Sequence, residues 1–181
     1  MKAEKRTQYI NKSTGEVFEK RSLVDLQFDE QEGYLFWNRK SAVRTFTDAP
    51  LPSAFTWAEK GRIYELKNFM LRDSQMLVYK SNGALKPVDI RGVCRICDMS
   101  ERYAKELVKK MKRHGIMKEV EIDGSTYFVM NPIYFLKVKR ITLTMYLIFQ
   151  EELKQVLPEW VIAKFLYQAK EIKPNFRVIG G

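Results

Sequence analysis

From residue 90 to residue 130 the chain writes two helical patterns separated by a short turn, then two strand patterns joined by Asp123-Gly124. Few small folds accept that order. Residues 90–97 predict a short helix. Ser100 is a favourable N-cap, and Glu101 sits where the positive end of a helix dipole favours an acid. The helix it opens runs to Arg113 or His114 and stops at Gly115, a residue suited to a C-cap. Residues 116–122 and 125–130 predict strands around a primed-turn signal, and Asn131-Pro132 ends the ribbon. A short helix joined by a tight turn to a capped helix reads as a helix-turn-helix, and the hairpin behind it as a wing.

At about 100° per residue, Tyr103, Ala104, Leu107 and Met111 gather on one side of the second helix. Arg102, Lys105, Lys109 and Arg113 gather opposite, with Lys112 near the edge and Glu106 the one acid close by. The apolar stripe can seat on a core while the basic one meets phosphates and base edges. A major groove admits such a helix, and arginine makes the commonest specific contact to guanine. A solvated basic face is the plainer alternative. The 32 Lys and Arg against 22 Asp and Glu leave a net charge of +10, which favours a polyanionic partner.

The rest of the chain divides by local chemistry. Residues 1–53 form a basic, β-rich region: Thr14-Gly15 reads as a hairpin turn, residues 23–28 and 34–37 as further strands, and Asp48-Ala49-Pro50-Leu51-Pro52-Ser53 as a break. Residues 54–140 hold the helix-turn-helix. They open on a Thr56-Trp57-Ala58-Glu59 capping box, with Ile63, Leu66, Phe69 and Met70 following at helical spacing. Asn82-Gly83 then joins strand candidates at 76–79 and 85–88. Residues 141–181 begin with one mostly buried helix through Leu153. Pro158 breaks it and opens another helix to about Lys170, and residues 174–181 read as a tail. The expected class is α+β: a central winged helix-turn-helix with an N-terminal β-rich region and C-terminal helices.

Several function classes are disfavoured. No apolar run reaches the ~18 residues of a membrane span, and the basic start lacks the apolar stretch of a leader. Two cysteines cannot staple a secreted scaffold, so a cytoplasmic location is expected. One histidine, His114, argues against multi-histidine metal sites and most hydrolase triads. No phosphate-binding glycine loop, paired-carboxylate motif or nucleophile elbow is present, so no catalysis, cofactor or metal is expected.

Other features carry two readings. Lys118 could face a phosphate, but Glu119, Glu121 and Asp123 make the hairpin acidic, so the wing either contacts DNA or only completes the sheet. Lys137, Lys139 and Arg140 either track a nucleic-acid backbone or form a solvated strand face. Cys94-Arg95-Ile96-Cys97 offers two thiols where zinc wants four ligands, and reads as packing. His114 reads as a dipole partner or packing residue at the helix end. Tyr34, Phe36, Trp37, Phe46, Phe55 and Trp57 suit either a core or stacking on single-stranded bases, the core being the commoner use. Lys2, Lys5, Arg6, Lys12, Lys20 and Arg21 make either a minor-groove arm or a mobile terminus.

The run Met99-Ser100-Glu101-Arg102-Tyr103-Ala104-Lys105-Glu106-Leu107-Val108-Lys109-Lys110-Met111-Lys112-Arg113-His114-Gly115-Ile116-Met117-Lys118, with the exit Tyr127-Phe128-Val129-Met130-Asn131-Pro132, resembles winged-helix modules of phage and plasmid proteins of Gram-positive bacteria. It is similar to the firmicute plasmid replication proteins of RepL type and, more loosely, to MarR-like regulators. The resemblance covers residues 65–135. It implies double-stranded DNA binding by a replication initiator or transcription regulator. The candidate DNA-binding set is Ser100, Arg102, Lys105, Lys109, Lys112, Arg113, Lys118, Lys137, Lys139 and Arg140. The alternative is a protein-interaction adaptor on a winged-helix scaffold, with a host replication or transcription protein as partner. The apolar third region adds the expectation of a homodimer through the C-terminal helices, or of an intramolecular cap on the core.

Overall fold

The computed structural model describes residues 2–10, 17–25, 28–29, 31, 33–34, 49–72, 74–138, 140–171 and 174–179. They are mixed α and β with small antiparallel sheets, which is the expected α+β class. The chain divides into two compact units, Met1–Asn38 with Lys139–Thr142, and Arg39–Val138 with Leu143–Gly181.

In the first unit, β1 (Lys2–Ile10) pairs antiparallel with β2 (Val17–Asp25), in register from Lys2 opposite Asp25 to Ile10 opposite Val17. The hairpin is thus longer than its sequence signal, and the basic start belongs to a paired strand. Of the strand expected at 23–28, residues 26–27 lie outside the described residues and Phe28 belongs to the next strand. Leu23 to Asp25 stay in β2 because Lys2 to Glu4 continue the ladder opposite them. β3 (Phe28–Asp29) pairs with β4 (Gly33–Tyr34). Tyr34 and Ile141 exchange backbone hydrogen bonds of 2.9 and 2.7 Å, so a distant segment completes this unit. Gly33 is required there: at φ +88°, any Cβ would collide with the Ile141 carbonyl. The Thr14-Gly15 turn, most of the strand expected at 34–37, Phe46 and Asp48 lie outside the described residues.

The second unit starts with α1 (Trp57–Leu66). The Thr56 hydroxyl accepts from the Glu59 amide at 3.2 Å, and the Glu59 carboxylate accepts from the Thr56 amide at 2.7 Å, which is the capping box. A 3-10 turn over Lys67–Phe69 leads to Met70, which bridges Leu77. β5 (Val78–Ser81) and β6 (Ala84–Pro87) fold about Asn82-Gly83, both at positive φ. α2 (Ile90–Cys97) is capped by Asp89, whose carboxylate accepts from Gly92 at 2.7 Å. It ends at Asp98 in the left-handed region, φ 46°, a conformation a short polar side chain tolerates. That reversal sets the three-residue link Asp98-Met99-Ser100 into α3 (Glu101–Arg113). β7 (Met117–Ile122) and β8 (Ser125–Met130) pair about Asp123-Gly124. Met76 bridges Val129 and adds a short rung on the β8 side.

One core joins these elements: Ile63 and Leu66, Val93 and Cys97, Ala104, Leu107, Val108 and Met111, with Met117, Phe128 and Met130 from the hairpin. Burying a large apolar side chain contributes about 1.5–3 kcal/mol, so this stripe decides which way α3 faces. Buried Asn131 fixes the exit of β8. Its amide donates to Gly115 O at 2.6 Å and its oxygen accepts from Ile133 N at 2.9 Å.

Of the region read from sequence at 141–181, Leu143–Gly181 falls in the second compact unit and residues 141–142 in the first. The single helix expected through Leu153 is two, α4 (Leu143–Ile148) and α5 (Gln150–Leu153). Phe149 between them leaves helical backbone at φ −112°, ψ 35°. Hydrogen bonds from Phe149 to Met145 and from Leu153 to Phe149 carry the ladder across, so the axis turns without unravelling. α6 (Glu159–Glu171) follows Pro158, and Phe165 stacks on Tyr146 at 4.6 Å and 12°. The tail expected at 174–181 contains a strand, β9 (Phe176–Ile179), which pairs with β7 and gives the order β8-β7-β9. Four residues are too few for a periodic signal; the open edge of β7 makes them a strand.

Candidate nucleic-acid interface

α3 presents two faces of different chemistry. Ala104, Leu107, Val108 and Met111 are buried, while Arg102, Lys105, Lys109 and Arg113 are exposed. One expected member of the apolar stripe is corrected. Tyr103 is 62% exposed and Val108 takes its place, because residue 103 lies about 100° from buried Ala104 and residue 108 only about 40°. Ser100 has the extended backbone of an N-cap, but its hydroxyl makes no capping bond. That hydroxyl is exposed at the head of the helix.

The basic residues sort by what already holds them. Arg102 pairs with Glu106 at 3.4 Å and Lys105 with Glu101 at 2.5 Å, both along the helix and both exposed. Lys105 holds the Glu101 carboxyl below its usual range, and Arg91 adds to this. Exposed pairs of this kind contribute little, so a polyanion displaces them at small cost. Lys109 and Arg113 have no acidic partner among the described residues.

Lys112 differs: its ammonium lies 2.6 Å from Glu119 of β7, with both groups mostly covered. Lys110 likewise meets Glu59 at 2.8 Å and lies over the Phe55 ring. Burial alone would raise the Glu59 carboxyl, but hydrogen bonds from Lys110 and Thr56 hold it below its usual range. These two lysines pin α3 to its neighbours.

Of the candidates beyond α3, Lys118, Lys137 and Arg140 are engaged inside the protein. Lys118 pairs with Glu152 at 2.9 Å and lies over Phe149. Lys137 donates to the carbonyls of Asn68 and Met70 at 3.2 and 2.7 Å, and burial pushes its ammonium below the usual lysine range. Arg140, in the other unit, donates to Gly33 O at 3.0 Å. Lys139 lies outside the described residues. The basic run at 137–140 is therefore anchoring where it is described: Lys137 and Arg140 each donate to backbone carbonyls.

Sequence reading missed Arg91 and Arg95. Both are exposed on α2, four residues apart and away from buried Val93 and Cys97. Arg95 lies over the Tyr79 ring, and neither arginine forms an ion pair among the described residues. Arg91 is near enough to favour the charged form of Glu101, so the basic surface continues from α3 onto α2. The angular test applied to α3 finds these residues when applied to α2.

The remaining candidates fall as follows. Cys97 is buried and its thiol donates to Arg62 O at 3.7 Å, while Cys94 is half-buried. His114 caps α3 and packs edge-on against Phe55 at 5.3 Å. Burial pushes the Cys97 thiol from its ordinary 9.0 up to about 11. Since the folded pKa exceeds the unfolded one, the associated stability is full below pH 9 and is lost as pH rises from 9 towards about 11. Urea unfolding across that range is expected to show the decline in the native chain and a shallower one in Cys97→Ala.

No helix of the described residues is long and apolar enough to cross a membrane. No family model, curated protein or solved structure matches the chain.

Proposed function

We propose that residues 54–140 form a winged helix-turn-helix that binds double-stranded DNA selectively, with α3 in the major groove. The observation carrying this reading is the exposed Arg102, Lys105, Lys109 and Arg113 face of α3, set opposite a fully buried stripe and preceded by a short helix and tight turn. In this role Arg102, Lys105 and the free Ser100 hydroxyl lie at the end that meets base edges, while Lys109, Arg113, Arg91 and Arg95 meet phosphates. The protein would act in the cytoplasm as a phage- or plasmid-type transcription regulator or replication initiator. Mobility shifts on random against selected duplexes test the binding. The genomic position of selected fragments separates a promoter from an origin.

Lys118 and Lys137 leave the proposed contact set, because both are spent inside the fold. Lys118→Ala is expected to keep duplex affinity and salt dependence while lowering stability by about 1 kcal/mol, read by mobility shift and urea unfolding.

A protein-interaction reading is favoured by one observation: α6 exposes Trp160, Leu166 and Tyr167, by 40%, 41% and 66%. We assign that surface to a second copy of the chain, which would bring a second recognition helix to the next turn of DNA. Sedimentation at micromolar concentration is expected to show a dimer that Tyr167→Glu dissociates. A monomer near 21.4 kDa refutes it.

A further inference from the structure

α1 turns an unusual face outward. Trp57 is 87% exposed, the most exposed of the large apolar side chains among the described residues, although aromatics in this part of the sequence read as core. Phe55, two residues earlier, follows that reading and is 3% exposed. Tyr64 is 38% exposed, with its ring held edge-on against Phe135 at 5.6 Å. Each exposed ring carries a lysine: Lys60 lies 5.0 Å from the Trp57 centroid and Lys67 5.0 Å from the Tyr64 centroid. The same unit, an aromatic followed three residues on by a lysine, thus repeats after seven residues, roughly 10 Å along the helix. Between the two rings lies Gly61. A Cβ there meets nothing within 4 Å, so no contact inside the protein explains a residue that weakens a helix interior.

We propose that this face binds single-stranded nucleic acid, the bases stacking on Trp57 and Tyr64 and the phosphates meeting Lys60 and Lys67. The repeat decides the occupant. A single strand supplies one planar group and one negative charge per nucleotide, which is the complement of one ring and one ammonium per unit. An acidic peptide satisfies the lysines but leaves the indole without a planar partner. Gly61 then has a purpose: its bare backbone lets a sugar or base lie between the rings. The site is separate from the basic face of α3, although the two helices are tied at Glu59 and Lys110.

The full chain is titrated into labelled oligothymidylate, oligouridylate and duplex DNA, with anisotropy as the readout and polyglutamate as competitor. Trp57→Ala is expected to weaken single-strand binding roughly tenfold or more and to leave duplex binding unchanged. Gly61→Gln is expected to raise helix stability and still weaken single-strand binding, which separates occupancy of the slot from misfolding. The arms discriminate DNA from RNA by which oligomer binds tighter. Unchanged single-strand affinity in Trp57→Ala overturns the proposal, as does an equal loss on duplex. Polyglutamate binding that depends on Trp57, without oligonucleotide binding, overturns it in favour of a protein partner. Full duplex affinity retained in variants of α3, with the single-strand response intact, would sink only the duplex reading.

Discussion

Replacing Arg102, Lys105 and Lys109 together with alanine is expected to lower duplex affinity by roughly two to four orders of magnitude in a chain that stays folded. Each good base contact contributes about 1–3 kcal/mol, and two of the three residues lie at the end proposed to read bases. In that proposal Lys109 meets a phosphate, and its loss flattens the slope of log affinity against log salt by about 0.9. The fold has little to lose, because all three side chains are exposed and the broken pairs to Glu101 and Glu106 are solvent-screened. Mobility shifts over a salt series, beside a urea melt, separate the two effects. Full duplex affinity in the folded triple variant sinks the assignment of α3. Lys110→Ala is the informative contrast: its ammonium is committed to Glu59, so stability suffers more than binding.

Phe165→Ala is expected to cost about 3–5 kcal/mol, a large share of the ~5–15 kcal/mol available to a domain. The ring is 0% exposed and stacks on equally buried Tyr146, so truncation opens a cavity and removes an aromatic pair. Urea midpoints measure it. Leu166→Ala, one residue on and 41% exposed, is expected to change stability by under about 1 kcal/mol while weakening any dimer. If Phe165→Ala were equally mild, the C-terminal helices would not be the second layer of this unit. That layer bears on the hairpin directly, through Lys118 on Glu152 and Phe149.

Local chemistry alone determined a good deal of this protein. The Thr56 capping box, the Asn82-Gly83 and Asp123-Gly124 turns, and the limits of α2 and α3 were legible because each rests on backbone preferences of a few adjacent residues. The basic face of α3 was legible because helical periodicity fixes which residues share a side. Three things were decided only by tertiary structure. Residues 176–179 became a strand because β7 had an open edge. Leu143 to Leu153 split at Phe149, a turn within a run that reads as one helix. Most consequential for the site, the identity of the available cations depended on partners far away in sequence. Lys112 and Arg113 are neighbours on one helix, yet Glu119 occupies the first and nothing acidic among the described residues meets the second. Sequence spacing shows where a charge can point. Whether it is already neutralised depends on a counter-charge brought by folding, as Glu152 is brought to Lys118 from 34 residues away.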